Sequence, residues 1–263
     1  MGFEISDQVR ALNAQLQHFM DGHIYPRERE WHEWCHDPEH LWEVPAWYDD
    51  IRDNARAEGL WNLFLPEEYA PWSPGLTNVE IAPLFETMSK VMWAQSVFNC
   101  NAPDRGNMEV LARYGTPAQR EKWLVPLLQG RIRSAFAMTE PAVASSDATN
   151  IGIRIDRDEA RGEYVINGRK WMITGADGAA FQIIMARTID KSGEDIGATM
   201  FMADMDIEGC EVVRVLDTMD SNTSGGHSIV DYNDVRVPKE SILGEAGKGF
   251  RYAQVRLAPA RLT

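Results

Sequence analysis

The 263-residue sequence predicts an α+β multidomain fold: an N-terminal all-α helical domain, an antiparallel β-barrel-like or sandwich middle domain, and the start of a C-terminal helix. Three observations predict it. Apolar residues recur at helical spacing from Ile5 to about Gly130, the period then falls toward two, and helical spacing returns at Gly249. These changes divide the chain into a helical domain over 1–130, a β domain over 131–246 and the opening of a truncated helical domain over 247–263.

In the first domain Val9, Leu12, Leu16 and Phe19 share one helical face, and residues 45–58, 78–93 and 106–114 repeat the pattern between Pro- and Gly-containing breaks. Thr116-Pro117 reads as an N-cap followed by proline at the first helical position, opening a helix that carries Trp123, Leu124, Leu127 and Leu128. The second domain reads as strands over 134–138, 152–155, 164–167, 170–174, 181–187, 199–203, 210–215 and 228–232, rich in β-branched and aromatic residues. Asn167-Gly168 between two of them predicts a hairpin turn. Residues 249–257 are helical again, and the chain reads as interrupted while that helix is under way.

Composition excludes several classes. Hydrophobic residues make up 44% of the chain, enough for a substantial core. The formal charge of −14, without an offsetting basic run, would repel a phosphate backbone and argues against a nucleic-acid partner. Cys35, Cys100 and Cys210 are odd in number and far apart, which suits buried thiols in a reducing compartment. No apolar run is long enough to span a bilayer. Met1-Gly2 with Ser6 formally fits a myristoylation pattern, but Phe3-Glu4 gives it no basic support. A cytoplasmic location in a bacterium, or a mitochondrial or peroxisomal matrix location in a eukaryote, is expected.

Chemistry concentrates in two segments. Residues 131–147, RIRSAFAMTEPAVASSD, set a short strand beside a turn dense in small and hydroxyl residues, where backbone N–H groups can approach a flat or phosphorylated ligand. Residues 164–174 end a second strand in the hydroxyl of Thr174. Met138, Thr139 and Ser145 with Met172 and Thr174 therefore read either as two β margins for a planar cofactor or as ordinary strand ends with turn hydroxyls. His32, His36 and His40 recur every fourth residue with Cys35 among them, but Pro38 breaks the helix a metal site would need, and no metal is expected.

The segments YGTPAQREKWLVPLLQG (114–130), AMTEP (137–141), VINGRKWMIT (165–174), DVRVP (234–238), LGE (243–245) and GKGF (247–250) together resemble, in order, the signatures of the acyl-CoA dehydrogenase family. The resemblance covers essentially the whole chain and is closest to a branch carrying Gly225-Gly226-His227 that includes dehydrogenases of 4-hydroxyacyl-CoA breakdown.

The resemblance implies FAD against the β domain, held by Phe136, Met138, Thr139, Ser145, Met172, Ile173 and Thr174. Donors near the flavin's pyrimidine side and N5 would stabilise the charge it gains with a hydride. The family usually has Trp where Met172 stands, with Trp171 one residue earlier here. Ser145 would lie at the diphosphate or at the thioester substrate. Arg261 either faces substrate, as its counterpart does, or is a solvated helix arginine; Ser192 is a further contact for a CoA phosphate, or simply part of a polar hairpin.

The implied reaction is α,β-dehydrogenation of an acyl-CoA to the trans-2-enoyl-CoA, with an electron-transfer flavoprotein or similar acceptor and a dimeric or tetrameric homo-oligomer. No catalytic base is identifiable: the family places it in a C-terminal helical domain that this chain lacks, or one position before Arg261, where Ala260 stands. Glu140 reads as structural. The chain alone is expected to be weakly active or inactive, and the competing reading is a catalytically incomplete binding or assembly module completed by a separate partner. A flavin-dependent oxidase or monooxygenase on the same fold is a third reading.

Overall fold

A computed structural model describes residues 5–158, 160–190, 192–219 and 225–257. Met1, Gly2, Ala260 and Arg261 lie outside the described residues, so the myristoylation pattern and the Arg261 assignment find no structural counterpart. Two compact units divide at Arg105 and Gly106; among the described residues the first holds 5–105 and Leu257, and the second 106–219 and 225–256. Among the described residues no helix is long and apolar enough to cross a membrane.

The first unit is helical. Helix α1 (Asp7–Phe19) starts where the Ser6 hydroxyl accepts from the Val9 N–H, and it buries Val9, Leu16 and Phe19. A π turn (Met20–Ile24) continues it into α2 (Glu28–His36). Helix α3 (Tyr48–Ala57) follows, and α4 (Asn78–Met88) opens with a reciprocal Thr77/Glu80 capping box. The Thr87 hydroxyl donates to Asn13 at 2.8 Å, tying α4 to α1. A short α5 (Ala94–Val97) closes the unit beneath an aromatic cluster in which Trp31 stacks on Trp93 at 4.8 Å. Burial pushes the Cys35 and Cys100 thiols up, to about 11 and about 12, so both are protonated, unreactive core groups at neutral pH. The His32 ring stacks on His36, and the His40 ring on Trp34; among the described residues no three His, Cys, Asp or Glu side chains are grouped to hold a metal ion.

The second unit starts at Gly106, inside α6 (Asp104–Tyr114), whose Asn107 amide donates to the Ser134 hydroxyl and the Ala135 carbonyl. Thr116 caps α7 (Pro117–Gln119) as the sequence predicts, in a reciprocal box with Gln119. A π turn (Arg120–Leu124) then leads into α8 (Val125–Leu128), and Trp123 donates to the Asp204 carboxylate at 2.8 Å. The helices over 106–128 thus compact with the sheet, because their polar side chains end on strand residues.

Among the described residues seven strands make one sheet: β1 (Ser134–Ala137), β2 (Arg154–Asp158), β3 (Glu163–Thr174), β4 (Phe181–Ile189), β5 (Asp195–Asp204), β6 (Cys210–Leu216) and β7 (His227–Pro238). Their order is β1-β4-β2-β3-β7-β6, with β5 also on β4. Antiparallel pairs dominate, and β4 adds parallel pairings with β1 and β2. The core beneath holds Ile155, Ile166, Ile173, Phe201, Val230 and Tyr232. Helix α9 (Gly249–Leu257) lies on this unit, with Tyr252 4.1 Å from Tyr114 between ring centroids and Arg256 donating to Asn107 at 2.8 Å.

One sequence expectation is corrected. Asn167-Gly168 is no hairpin turn; β3 runs through it as one strand with a register shift between Ile166 and Gly168. The Asn167 side chain is engaged by Asp234 on β7 in both hydrogen-bond roles, at 3.0 and 2.7 Å, and so spans the irregularity instead of reversing the chain. Gly168 is required there: a Cβ would stand 2.7 Å from Ile153 Cγ1.

Candidate functional site

The site begins with a second irregularity in β3. Between Lys170 and Ile173 the register with β7 shifts again, and Met172 adopts a left-handed backbone, φ 54°. That conformation is strained for a residue with a side chain. Its effect is to break the two-residue alternation: Lys170 and Ile173 point inward, while Trp171 and Met172 both turn outward, 39% and 44% exposed. Two large apolar side chains are thereby held on the surface beside each other, an arrangement that suits packing against a planar ligand.

The chain following β1 runs along this bulge. Thr139 donates its hydroxyl proton to the Trp171 carbonyl at 2.6 Å, and its own carbonyl accepts the Trp171 N–H at 3.1 Å. Three residues further along β3, Thr174 pairs across the ladder with His227, and its hydroxyl lies 2.9 Å from the imidazole Nδ1. Beneath the margin, Lys170 is fully buried and its ammonium donates to the Met138 carbonyl, the Met185 carbonyl and the Glu140 carboxylate at 2.7–2.8 Å. Glu140, 3% exposed, also accepts the Gly152 and Ile153 N–H groups. Burial pushes the Lys170 ammonium down to about 8, with the Glu140 charge opposing that shift. This network fixes the position of the Met138–Glu140 backbone against β3 and β4.

The seven residues that the resemblance assigns to FAD are placed differently from one another. Thr139, Met172 and Thr174 stand on the margin, and Met138 is half-buried just before it. Ile173 is 1% exposed and belongs to the core, so only its backbone can meet a ligand. The half-buried Phe136 carries the Arg256 guanidinium over its ring, 3.9 Å from the centroid. The Ser145 hydroxyl accepts from the Glu140 N–H and donates to the Glu140 carbonyl, both at 2.8 Å, and thus shapes the turn around Pro141. Ser192 is occupied with Asp190 at 2.6 Å.

Two pairings at this site join residues far apart in the chain. The Lys170–Glu140 pair joins residues 30 positions apart, and no local pattern in the strand marks Lys170 as buried. The Thr174–His227 contact spans 53 positions; Gly225-Gly226 preceding the histidine was its one visible trace. A groove of about 710 Å³ in the second unit lies elsewhere, among Trp123, Tyr164, Met202 and Val237.

Comparison with known proteins agrees with these motifs. Residues 6–131 match the acyl-CoA dehydrogenase N-terminal domain, and residues 135–234 the acyl-CoA dehydrogenase middle domain. Mouse acyl-CoA dehydrogenase family member 10 is 46% identical over 98% of this chain, which spans 24% of that protein. A Mycobacterium abscessus protein described as an acyl-CoA dehydrogenase is 43% identical with a TM-score of 0.90, over 98% of this chain and 65% of its own. An acyl-CoA dehydrogenase from Bacillus anthracis, solved as a complex with FAD, is 24% identical with a TM-score of 0.74 over 98% of this chain and 42% of its own, a likeness of fold alone. The chain therefore spans between about a quarter and two thirds of these relatives, and over that span it belongs to the acyl-CoA dehydrogenase family, comprising its N-terminal and middle domains.

Proposed function

We propose that this chain supplies the helical and β domains of an FAD-dependent oxidoreductase that α,β-dehydrogenates an acyl-CoA thioester to the trans-2-enoyl-CoA. The observation that carries the reading is the β3 bulge, which holds Trp171 and Met172 outward between the Thr139 and Thr174 hydroxyls. A flavin accepts hydride from carbon, a chemistry that no side chain supplies.

The residues present fit such a ring. Trp171 and Met172 offer apolar and sulfur contact to its face. Thr174 and the backbone beside Thr139 offer polar groups to its edge, where charge develops on reduction. Lys170 and Glu140 hold these groups in place from below, so the margin needs little reorganisation when a ligand arrives. Ser145, whose hydroxyl is engaged by Glu140, acts by shaping the turn and leaves the neighbouring backbone of Ala144 and Ser146 to meet diphosphate or thioester. Arg261 is assigned to the substrate side by resemblance alone.

The proton at Cα must go to a base; the relatives that the chain matches are longer than it, and we assign the base, the far wall of the flavin site and the contacts of a dimer or tetramer to a segment beyond the span they share. The partner expected to take electrons from the bound group is an electron-transfer flavoprotein or similar acceptor. The share of its relatives that the chain spans supports a second reading, an incomplete module that gains flavin only with a partner segment.

Absorbance near the flavin bands, FAD release on denaturation, and dye reduction with a panel of acyl-CoA thioesters test the proposal on the full-length protein. Yellow protein and acyl-CoA-dependent dye reduction are expected. A full-length protein that takes up no flavin at micromolar concentration overturns the reading, and flavin uptake only after adding a separate C-terminal polypeptide favours the module. Met172→Asp should weaken FAD binding at least tenfold, read by quenching of flavin fluorescence, because it sets a charge against the ring face.

A further inference from the structure

The Thr174–His227 contact has a use that the proposed function does not assign, and the inference drawn from it rests on the flavin reading above. Thr174 Oγ1 and His227 Nδ1 stand 2.9 Å apart at paired positions of β3 and β7. Both side chains are half-buried, so the contact is shielded from competing water on part of its surface. The chain around it is closed tightly: the Gly175 N–H donates to the Gly226 carbonyl at 2.9 Å, and Gly225, at φ 76°, approaches so closely that a Cβ there would lie 2.6 Å from the Asp177 carbonyl oxygen. The backbone that carries the imidazole is thus packed closely against residues 175–177.

A threonine hydroxyl has one proton and two lone pairs, and a neutral imidazole has one donor and one acceptor nitrogen. The pair consequently has two arrangements. With Nδ1 bare, Thr174 donates to it and presents only lone pairs elsewhere. With the proton on Nδ1, the imidazole donates to Thr174 Oγ1, and the hydroxyl proton is turned away from the ring toward whatever lies beyond. A flavin N5 likewise has two faces: bare in the oxidised ring, where it accepts, and N–H in the reduced ring, where it donates.

We propose that His227 is a positioning residue that fixes which way the Thr174 hydroxyl presents its proton to the flavin edge, and so sets the partition between oxidised and reduced cofactor. An imidazole with bare Nδ1 favours the reduced ring; one with Nδ1–H favours the oxidised ring. The oxidised ring meets a mismatched lone pair in the first case, and the reduced ring meets a mismatched proton in the second, which is how a group that never touches the flavin shifts its potential.

The experiment uses the FAD-loaded full-length protein. Imidazole ¹⁵N resonances of His227 first establish which nitrogen carries the proton, and this fixes the sign expected. Midpoint potentials are then measured for wild type, His227→Ala, His227→Phe as a space-filling variant, Thr174→Val, and the double variant. The expected result is a roughly tenfold change in the oxidised-to-reduced ratio on loss of the imidazole, ~30 mV for a two-electron couple. The reduced fraction falls if Nδ1 is bare and rises if it is protonated. The double variant should shift no further than Thr174→Val alone, since the histidine acts through that hydroxyl. A ratio within twofold of wild type for whichever histidine variant folds, a shift of the wrong sign, or fully additive effects overturns the proposal. Wild-type protein without any bound FAD is a separate outcome, visible before a variant is made, and it removes the flavin reading together with this one.

Discussion

Lys170 carries the strongest residue-scale consequence. Its ammonium is fully buried with three oxygen partners, one of them the buried Glu140 carboxylate. Removing one member of such a pair leaves an uncompensated charge in the interior, which costs about 3–5 kcal/mol. Lys170→Met should therefore lower the urea-unfolding free energy by about that amount, and Glu140→Gln on the same background should recover part of it. The pair also has a pH signature. Burial holds the folded-state ammonium near 8 against an ordinary 10.5, so between these values the unfolded chain binds a proton that the folded chain has released. The part of the stability that this shift controls is fully present above pH 10.5 and is lost as pH falls through 8, so the urea-unfolding gap between wild type and Lys170→Met should widen from pH 8 to pH 10.5. A gap that narrows or stays flat would show that the ammonium is better solvated than its surroundings imply. At Met172 the trade is different: a residue with a side chain holds a left-handed backbone, and in exchange two apolar groups face outward.

At the scale of elements, local signals were legible wherever one segment decides its own structure. Thr116-Pro117 announced a helix start, and the structure gives a reciprocal capping box with Gln119. The Gln119 amide also reaches the Glu240 and Ile242 carbonyls, so the first turn of this helix anchors a distant loop. Thr116→Ala should cost about 1 kcal/mol and speed amide exchange at Gln119 selectively. Equal exchange in wild type and variant would show that the tertiary bonds, not the cap, hold the turn. Where pairing across strands decides, the sequence was silent or misleading. Asn167-Gly168 is a strong turn signal, yet bonds to Asp234 absorb it as an irregularity within β3. The π turns at Met20–Ile24 and Arg120–Leu124 lie in ordinary helical sequence and left no trace. The residues that the resemblance assigns to FAD stand in family motifs, but their separate fates were not legible: Ile173 enters the core and Ser145 is consumed by its own turn, because both depend on partners named only by the fold.

For the whole molecule, charge is the dominant fact. Twenty-six basic against forty acidic residues leave −14 on one chain, and self-repulsion opposes the compact state wherever salt does not screen it. Raising ionic strength from about 0.01 to 0.15 M shortens the Debye length from about 30 to 8 Å, so the melting temperature should rise by a few degrees; a fall would mean that surface ion pairs such as Arg169–Asp231 outweigh the repulsion. The outward turn at the β3 bulge has one more consequence, and it is chemical. A thioether left open to solvent is a target for peroxide, which converts it to a polar sulfoxide. Met172, at 44% exposure, shares that liability with Met92 at 75% and the fully exposed Met219. Peptide mass mapping after a peroxide pulse should find all three oxidised in flavin-free protein, and only Met172 spared once FAD is added; equal labelling with and without FAD would mean that nothing settles on the bulge. The same side chain that grips the ring would then be the one that the ring keeps from being burned.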